Sequence, residues 1–159
     1  MEAEKIEKLV EHLQHAGFSE KQLITGDKAA SLSSKYYTPT FTSPVRIIPL
    51  PQHSEISKKR YEQIVSAVEI VKSQQTGIQI ISRGQNIGYG SDEPYADNTV
   101  LLDLSAFDKI YQYNKNLSQI SLEPGVTQQA LYDYLIESGG EHWPDSTGAP
   151  TNASILGNY

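Results

Sequence analysis

Apolar residues first recur at helical spacing. Ile6, Leu9, Val10 and Leu13 fall at i, i+3, i+4 and i+7, which lines them on one helix face. Glu2 and Glu4 suit the N-terminal end of that helix, where the macrodipole favours negative charge. Gly17 offers a left-handed cap, and Phe18 is placed to fold back on the last turn. From 19 to 53 the period is lost. Prolines at 39, 44, 49 and 51 keep this stretch extended, so it reads as an arm with a short strand at Val45–Ile48. A second stripe, Tyr61, Ile64, Val65, Val68 and Val71, predicts a helix that starts near Ser54 and stops at Gly77.

Beyond Gly77 the pattern shortens to strands. Ile78–Ser82 is β-branched and brief, and Thr99–Leu104 is apolar enough to be buried on both faces. Lys109–Tyr113 and Ser118–Leu122 predict a hairpin around Asn114-Lys-Asn116, where Asn tolerates positive φ. Glu123-Pro-Gly125 breaks the second of these strands. Thr127 then caps a helix through Ser138, with Val126 and Leu131 spaced as a hydrophobic staple and Gly139-Gly140 as the stop. Strands joined by both a hairpin and helical crossovers predict an α+β fold, a small mixed sheet flanked by helices. Residues 1–44 form the N-terminal helix and arm of this scheme, and 45–159 its body.

Composition narrows the chemistry. One hundred and fifty-nine residues suit a single domain with a real core. Thirteen Lys and Arg against nineteen Asp and Glu give a net charge of −6, which excludes a basic nucleic-acid footprint and a polybasic membrane patch. The charged opening MEAEKIEKL and the lack of a long apolar run lead to the expectation of a cytoplasmic protein. Without cysteine there is no thiolate, disulfide or Cys-based metal chemistry.

The glycine-rich segment Arg83-Gly-Gln-Asn-Ile-Gly-Tyr-Gly-Ser91 carries the most information. Gly84, Gly88 and Gly90 follow a strand directly, where bare backbone can approach a ligand and successive N–H groups can form an anion nest. The spacing fits neither a dinucleotide fingerprint nor a Walker A loop. The residues alone leave a plain turn and an anion cradle equally open. A second stretch of small polar residues, Pro144 to Asn158, could flank the same ligand. Other features have blander readings. His12 and His15 have no carboxylate fixed beside them by spacing and read as surface histidines. Asp92, Glu93 and Asp97 lack calcium-loop spacing and read as solvating their loop, and Glu123 reads as a strand stop rather than a catalytic carboxylate. Asn116-Leu-Ser118 and Asn152-Ala-Ser154 match a glycosylation sequon in a chain with no sign of secretion. Trp143 reads as a core anchor ahead of a ligand-stacking platform.

Four segments in order, RGQNIGYGSDEP, TVLLDLS, ISLEPGVTQQALYDYL and PTNASILGN, give the chain a family likeness. It resembles the N-terminal part of the FAD-binding (PCMH-type) domain of the vanillyl-alcohol oxidase and p-cresol methylhydroxylase flavoproteins, from about Val45 onward. The resemblance implies an FAD-dependent oxidoreductase acting on a small alcohol or 4-alkylphenol-like substrate by hydride transfer to flavin. A non-catalytic binding module built on the same framework is the alternative. It implies that Ser82, Arg83, Gly84, Gln85, Asn86, Ile87, Gly88 and Tyr89 hold the FAD pyrophosphate through backbone amides. It also implies cofactor contacts from Pro124, Gly125, Ser154, Ile155, Gly157 and Asn158. Gln85 stands where members with a histidyl–FAD bond from this loop carry His, so FAD is expected to be non-covalent here. No catalytic or metal-binding residue maps onto this chain. The family's substrate region lies beyond Tyr159, which implies a truncated domain completed by a C-terminal half or a partner subunit, and leaves homo-oligomers open.

Overall fold

The computed structural model describes residues 3–32, 43, 45–49, 57–85, 92–145 and 147–157. Helix α1 (Ala3–His15) ends as its pattern predicts, with Gly17 at φ +91° and the Phe18 amide bonded to the Leu13 carbonyl at 3.1 Å. Leu9, Leu13 and Phe18 are buried, each removal from water contributing roughly 1.5–3 kcal/mol.

The expected arm starts as regular structure. Ser19 and Gln22 form a capping box on a single 3₁₀ turn, followed by strand β1 (Leu23–Thr25) and helix α2 (Gly26–Leu32). The apolar period is invisible here because each element is shorter than the window that reveals one. β1 pairs antiparallel with β2 (Val45–Ile47), so the N-terminal segment supplies an edge strand of the sheet. Helix α3 (Ser57–Ser73) follows, then β3 (Ile78–Ile81) and β4 (Val100–Asp103). The sheet order is β1-β2-β4-β3, with β4 parallel to both neighbours and buried throughout.

The predicted stripe of α3 packs inward in part. Val71 is fully buried beside Ala67, and Ile64 and Val68 pack against the core, while Tyr61 and Val65 are about half exposed. Gln63 turns inward instead, and its side-chain oxygen accepts from buried Gln22 at 3.1 Å. A satisfied amide pair thus takes a place that hydropathy assigns to carbon. One core cluster joins α1, β1, β2, α3 and β4.

The hairpin forms a separate two-stranded sheet, β5 (Ile110–Asn114) and β6 (Gln119–Leu122). Its connection is a 3₁₀ turn, Lys115–Leu117. Asn114 caps that turn by accepting the Leu117 N–H, and Ser118, rather than an asparagine, takes the positive φ of +52°. Helix α4 (Gln128–Glu137) is capped by Thr127, whose hydroxyl accepts the Ala130 N–H at 3.0 Å. Gly139 and Gly140 both have positive φ at its end. Val126, Leu131, Leu135 and Ile155 pack on the hairpin as a second core.

Candidate cofactor site

Three segments meet where β3 ends. The first is Ser82–Gln85, with Gly84 at φ +60°, the left-handed conformation that one half of an anion nest requires. The second is Glu123–Val126, at the end of β6. The third is Ala153–Gly157, whose Ser154 forms an isolated antiparallel bridge with Thr127. The Ile155 amide donates to the Val126 carbonyl at 2.9 Å, and the Gln128 amide donates to Ala153. Ser82 and Ser154 touch hydroxyl to hydroxyl at 2.5 Å, and Arg83 Nε donates to the Gly125 carbonyl at 2.8 Å. The sequence-expected residues Ser82, Arg83, Gly84, Gln85, Pro124, Gly125, Ser154, Ile155 and Gly157 therefore share one neighbourhood. Asn86, Ile87, Gly88, Tyr89 and Asn158 lie outside the described residues.

Two glycines act differently there. A side chain on Gly157 would meet the Ser154 hydroxyl at 2.7 Å and the Ser82 hydroxyl at 3.2 Å, so its absence leaves room beside both. A side chain on Gly125 would strike the carbonyls of Ser105, Phe107 and Leu104 within 3 Å. Gly125 is a packing requirement of the segment itself: its amide also donates to Phe107 at 2.6 Å. Arg83 adds positive charge, its guanidinium 3.7 Å from the partly exposed Asp108.

Sequence reasoning misses the groups beneath this site. Glu123 is buried, and its carboxylate accepts from the Tyr111 hydroxyl at 2.5 Å, the Tyr61 hydroxyl at 3.3 Å and the Lys109 amide at 3.0 Å. No motif marks it, because its partners are 14 and 62 residues away for Lys109 and Tyr61. The hydrogen bond to Glu123, then that to Tyr61, then burial, hold the Tyr111 phenol well above its ordinary pKa. The folded chain thus keeps a proton that the unfolded chain releases above about pH 10. This contribution is complete below that pH and is lost as pH rises toward the folded value. Tyr111 is expected to remain protonated, by tyrosinate absorbance, where ordinary tyrosines have ionised. Glu123→Gln should bring it back among them; identical alkaline titrations of the two proteins would refute the assignment.

Several expectations are corrected. Asp92 does not merely solvate its loop: it is buried and pairs with Arg46 at 3.3 Å. Trp143 is no core anchor. It is 68% exposed, leaning on Tyr132 with ring centroids 5.7 Å apart, beside a cleft of about 440 Å³ that Gln128, Gln129, Asp145 and Thr151 also line. His142, its neighbour, instead makes the structural contact, hydrogen-bonded to Tyr113 and to Ser118 across the hairpin tip. His12 and His15 bond to Gln74 and to the Glu11 carbonyl; among the described residues no cluster could hold a metal ion.

A family model described as an FAD binding domain matches residues 56–159. The chain belongs to this family. It is 29% identical over 135 residues to 1'-carboxy-chondrochloren decarboxylase of Chondromyces crocatus, covering 85% of this chain and 24% of that protein. It is 38% identical over 77 residues to the flavoprotein subunit of 4-cresol dehydrogenase [hydroxylating] of Pseudomonas putida, covering 48% and 15%. Among solved structures, 4-ethylphenol oxidase from Gulosibacter chungangensis superposes with a TM-score of 0.83 at 22% identity, over 99% of this chain and 29% of that one. p-Cresol methylhydroxylase superposes at 0.78 with 24% identity, over 98% and 29%. The α+β architecture is therefore that of the p-cresol methylhydroxylase-type FAD-binding domain, and FAD is the cofactor. The chain spans about a quarter or less of the length of the curated relatives it matches.

The site suits that cofactor. A pyrophosphate needs hydrogen-bond donors at close approach, and the converging hydroxyls, the Gly84 turn and the space beside Gly157 supply them without lysine.

Proposed function

We propose that this chain supplies the pyrophosphate-binding part of an FAD-dependent oxidoreductase that oxidises a small alcohol or 4-alkylphenol-like substrate by hydride transfer to flavin. Flavin carries the redox chemistry; the protein binds and orients it. In this reading the backbone amides of Ser82 through Tyr89 hold the pyrophosphate, without a covalent bond from Gln85. Ser154, Ile155, Gly157 and Asn158 add further contacts to the cofactor. Pro124 and Gly125 lie against the cofactor. The single observation carrying this reading is the convergence of Ser82 with Ser154, 72 residues apart in sequence. The phenolic substrate class rests on the names of the dehydrogenase and oxidase relatives. The remaining flavoprotein, as a C-terminal continuation or a partner subunit, would bring the substrate groups, and self-association is a further partner arrangement.

The decarboxylase that matches over 85% of this chain favours a second reading, in which a carboxylated substrate loses its carboxyl group. A non-catalytic module is the third. Flavin uptake separates the last from the others. The expected result is a yellow preparation with flavin absorbance after gel filtration with FAD. A colourless protein, even when co-expressed with the rest of its flavoprotein, would sink the proposal. Turnover of 4-alkylphenols against their carboxylated analogues then decides between the first two.

A further inference from the structure

Asp92, just past the glycine-rich segment, is tied to the sheet through a nearly buried ion-pair cluster. Arg46 on β2 pairs in parallel register with Leu101 on β4, which places it on the same side of the sheet as Asp103. Its Nε and one terminal nitrogen both donate to Asp103 Oδ2, at 3.1 and 2.8 Å. The other terminal nitrogen donates to Asp92 Oδ2 at 3.3 Å. The Ser105 amide donates to the second oxygen of Asp103 at 2.8 Å. All three side chains are nearly buried, at 11, 10 and 6% exposure for Arg46, Asp92 and Asp103.

Asp92 also meets the start of the loop. The position of a Cβ on Gly84 lies 2.7 Å from the Asp92 Cβ, so the two ends of the 84–92 segment are in contact. Only a planar fork can engage one carboxylate through two nitrogens and reach another with a third; a lysine ammonium has no such geometry. Arg46 also lies outside the span 56–159 that carries the family match.

We propose that Arg46 is a positioning residue for FAD binding, acting through Asp92 to hold the ends of the 84–92 segment in the arrangement that presents the Ser82–Gln85 amides. Asp103 serves as the fixed point, because β4 is held by strands on both sides. The inference rests on the assignment of this loop to the pyrophosphate, and the experiment keeps the two apart.

Hydrogen exchange is measured on the FAD-free wild-type chain, Asp92→Asn and Arg46→Lys, and FAD affinity on all three in parallel. Asp92→Asn keeps the shape of the side chain and removes the charge. Arg46→Lys keeps the charge and removes the fork. Both should speed exchange in peptides spanning 82–92 by about ten-fold while leaving α4 and the hairpin unchanged, and weaken FAD binding by about ten-fold. Wild-type exchange across the loop, or faster exchange spread over the whole chain, overturns the positioning role. FAD affinity that follows overall stability and not loop exchange also overturns it. A wild-type chain that takes up no FAD, even when co-expressed with the rest of its flavoprotein, overturns the loop assignment instead, which the exchange pattern distinguishes from loss of the anchor.

Discussion

Gly125→Ala is expected to destabilise the chain by about 3 kcal/mol or more, a large share of the 5–15 kcal/mol that holds a typical domain together. The added methyl would sit 2.5, 2.6 and 2.9 Å from the carbonyl oxygens of Ser105, Phe107 and Leu104. All three are backbone atoms, so no rotamer change relieves the contact. The Leu104–Phe107 turn would have to move, and it is held by the Phe107 amide on Leu104 at 2.9 Å and by the Ser105 amide on Asp103. Gly125 cannot retreat either, since its amide donates to Phe107 and its carbonyl accepts from Arg83. A urea titration checks this: the midpoint should fall sharply with little change in slope. An unchanged midpoint would show that the segment yields, and that glycine is there for another reason.

That result bears on what a sequence displays. The long helices were legible by their period and caps, α1 with Gly17 and α4 from the Thr127 cap to the paired glycines, and β4 by its continuous apolar run as a strand buried on both faces. The 3₁₀ turn, β1 and α2 were not, since three to seven residues carry less than two turns of pattern. The α3 stripe was misread at Tyr61, which serves Glu123 through its hydroxyl and packs at a tilt against Phe107, 5.7 Å between centroids. Burial of Gln63 has the same origin: its partner, Gln22, is 41 residues away. The candidate site was legible as two glycine- and small-residue segments plus the Glu123-Pro-Gly125 break. What could not be read was how they are supported. Arg46, Asp92, Asp103 and Glu123 look like ordinary surface charges until the fold brings them together and removes the water around them.

Gly157 should behave in the opposite way to Gly125. An added methyl there meets the tips of two serine side chains, Ser154 Oγ at 2.7 Å and Ser82 Oγ at 3.2 Å, and both can rotate away. Gly157 is also outside the left-handed region, so alanine introduces no backbone strain. Gly157→Ala is therefore expected to lower stability by only about 1 kcal/mol, the worth of the displaced Ser82–Ser154 hydrogen bond. Its effect falls on the cofactor. The methyl and the displaced hydroxyls would occupy the space through which a pyrophosphate reaches the Ser82 and Ser154 donors. FAD affinity should drop by about 100-fold, near 2.7 kcal/mol. Flavin fluorescence titration read beside thermal unfolding tests both halves. Loss of FAD with a Tm lowered by no more than a few degrees places the cofactor against Gly157. Unaltered FAD affinity would place it elsewhere, and the Ser82–Ser154 contact would then be a structural clasp between the end of β3 and the segment that caps α4.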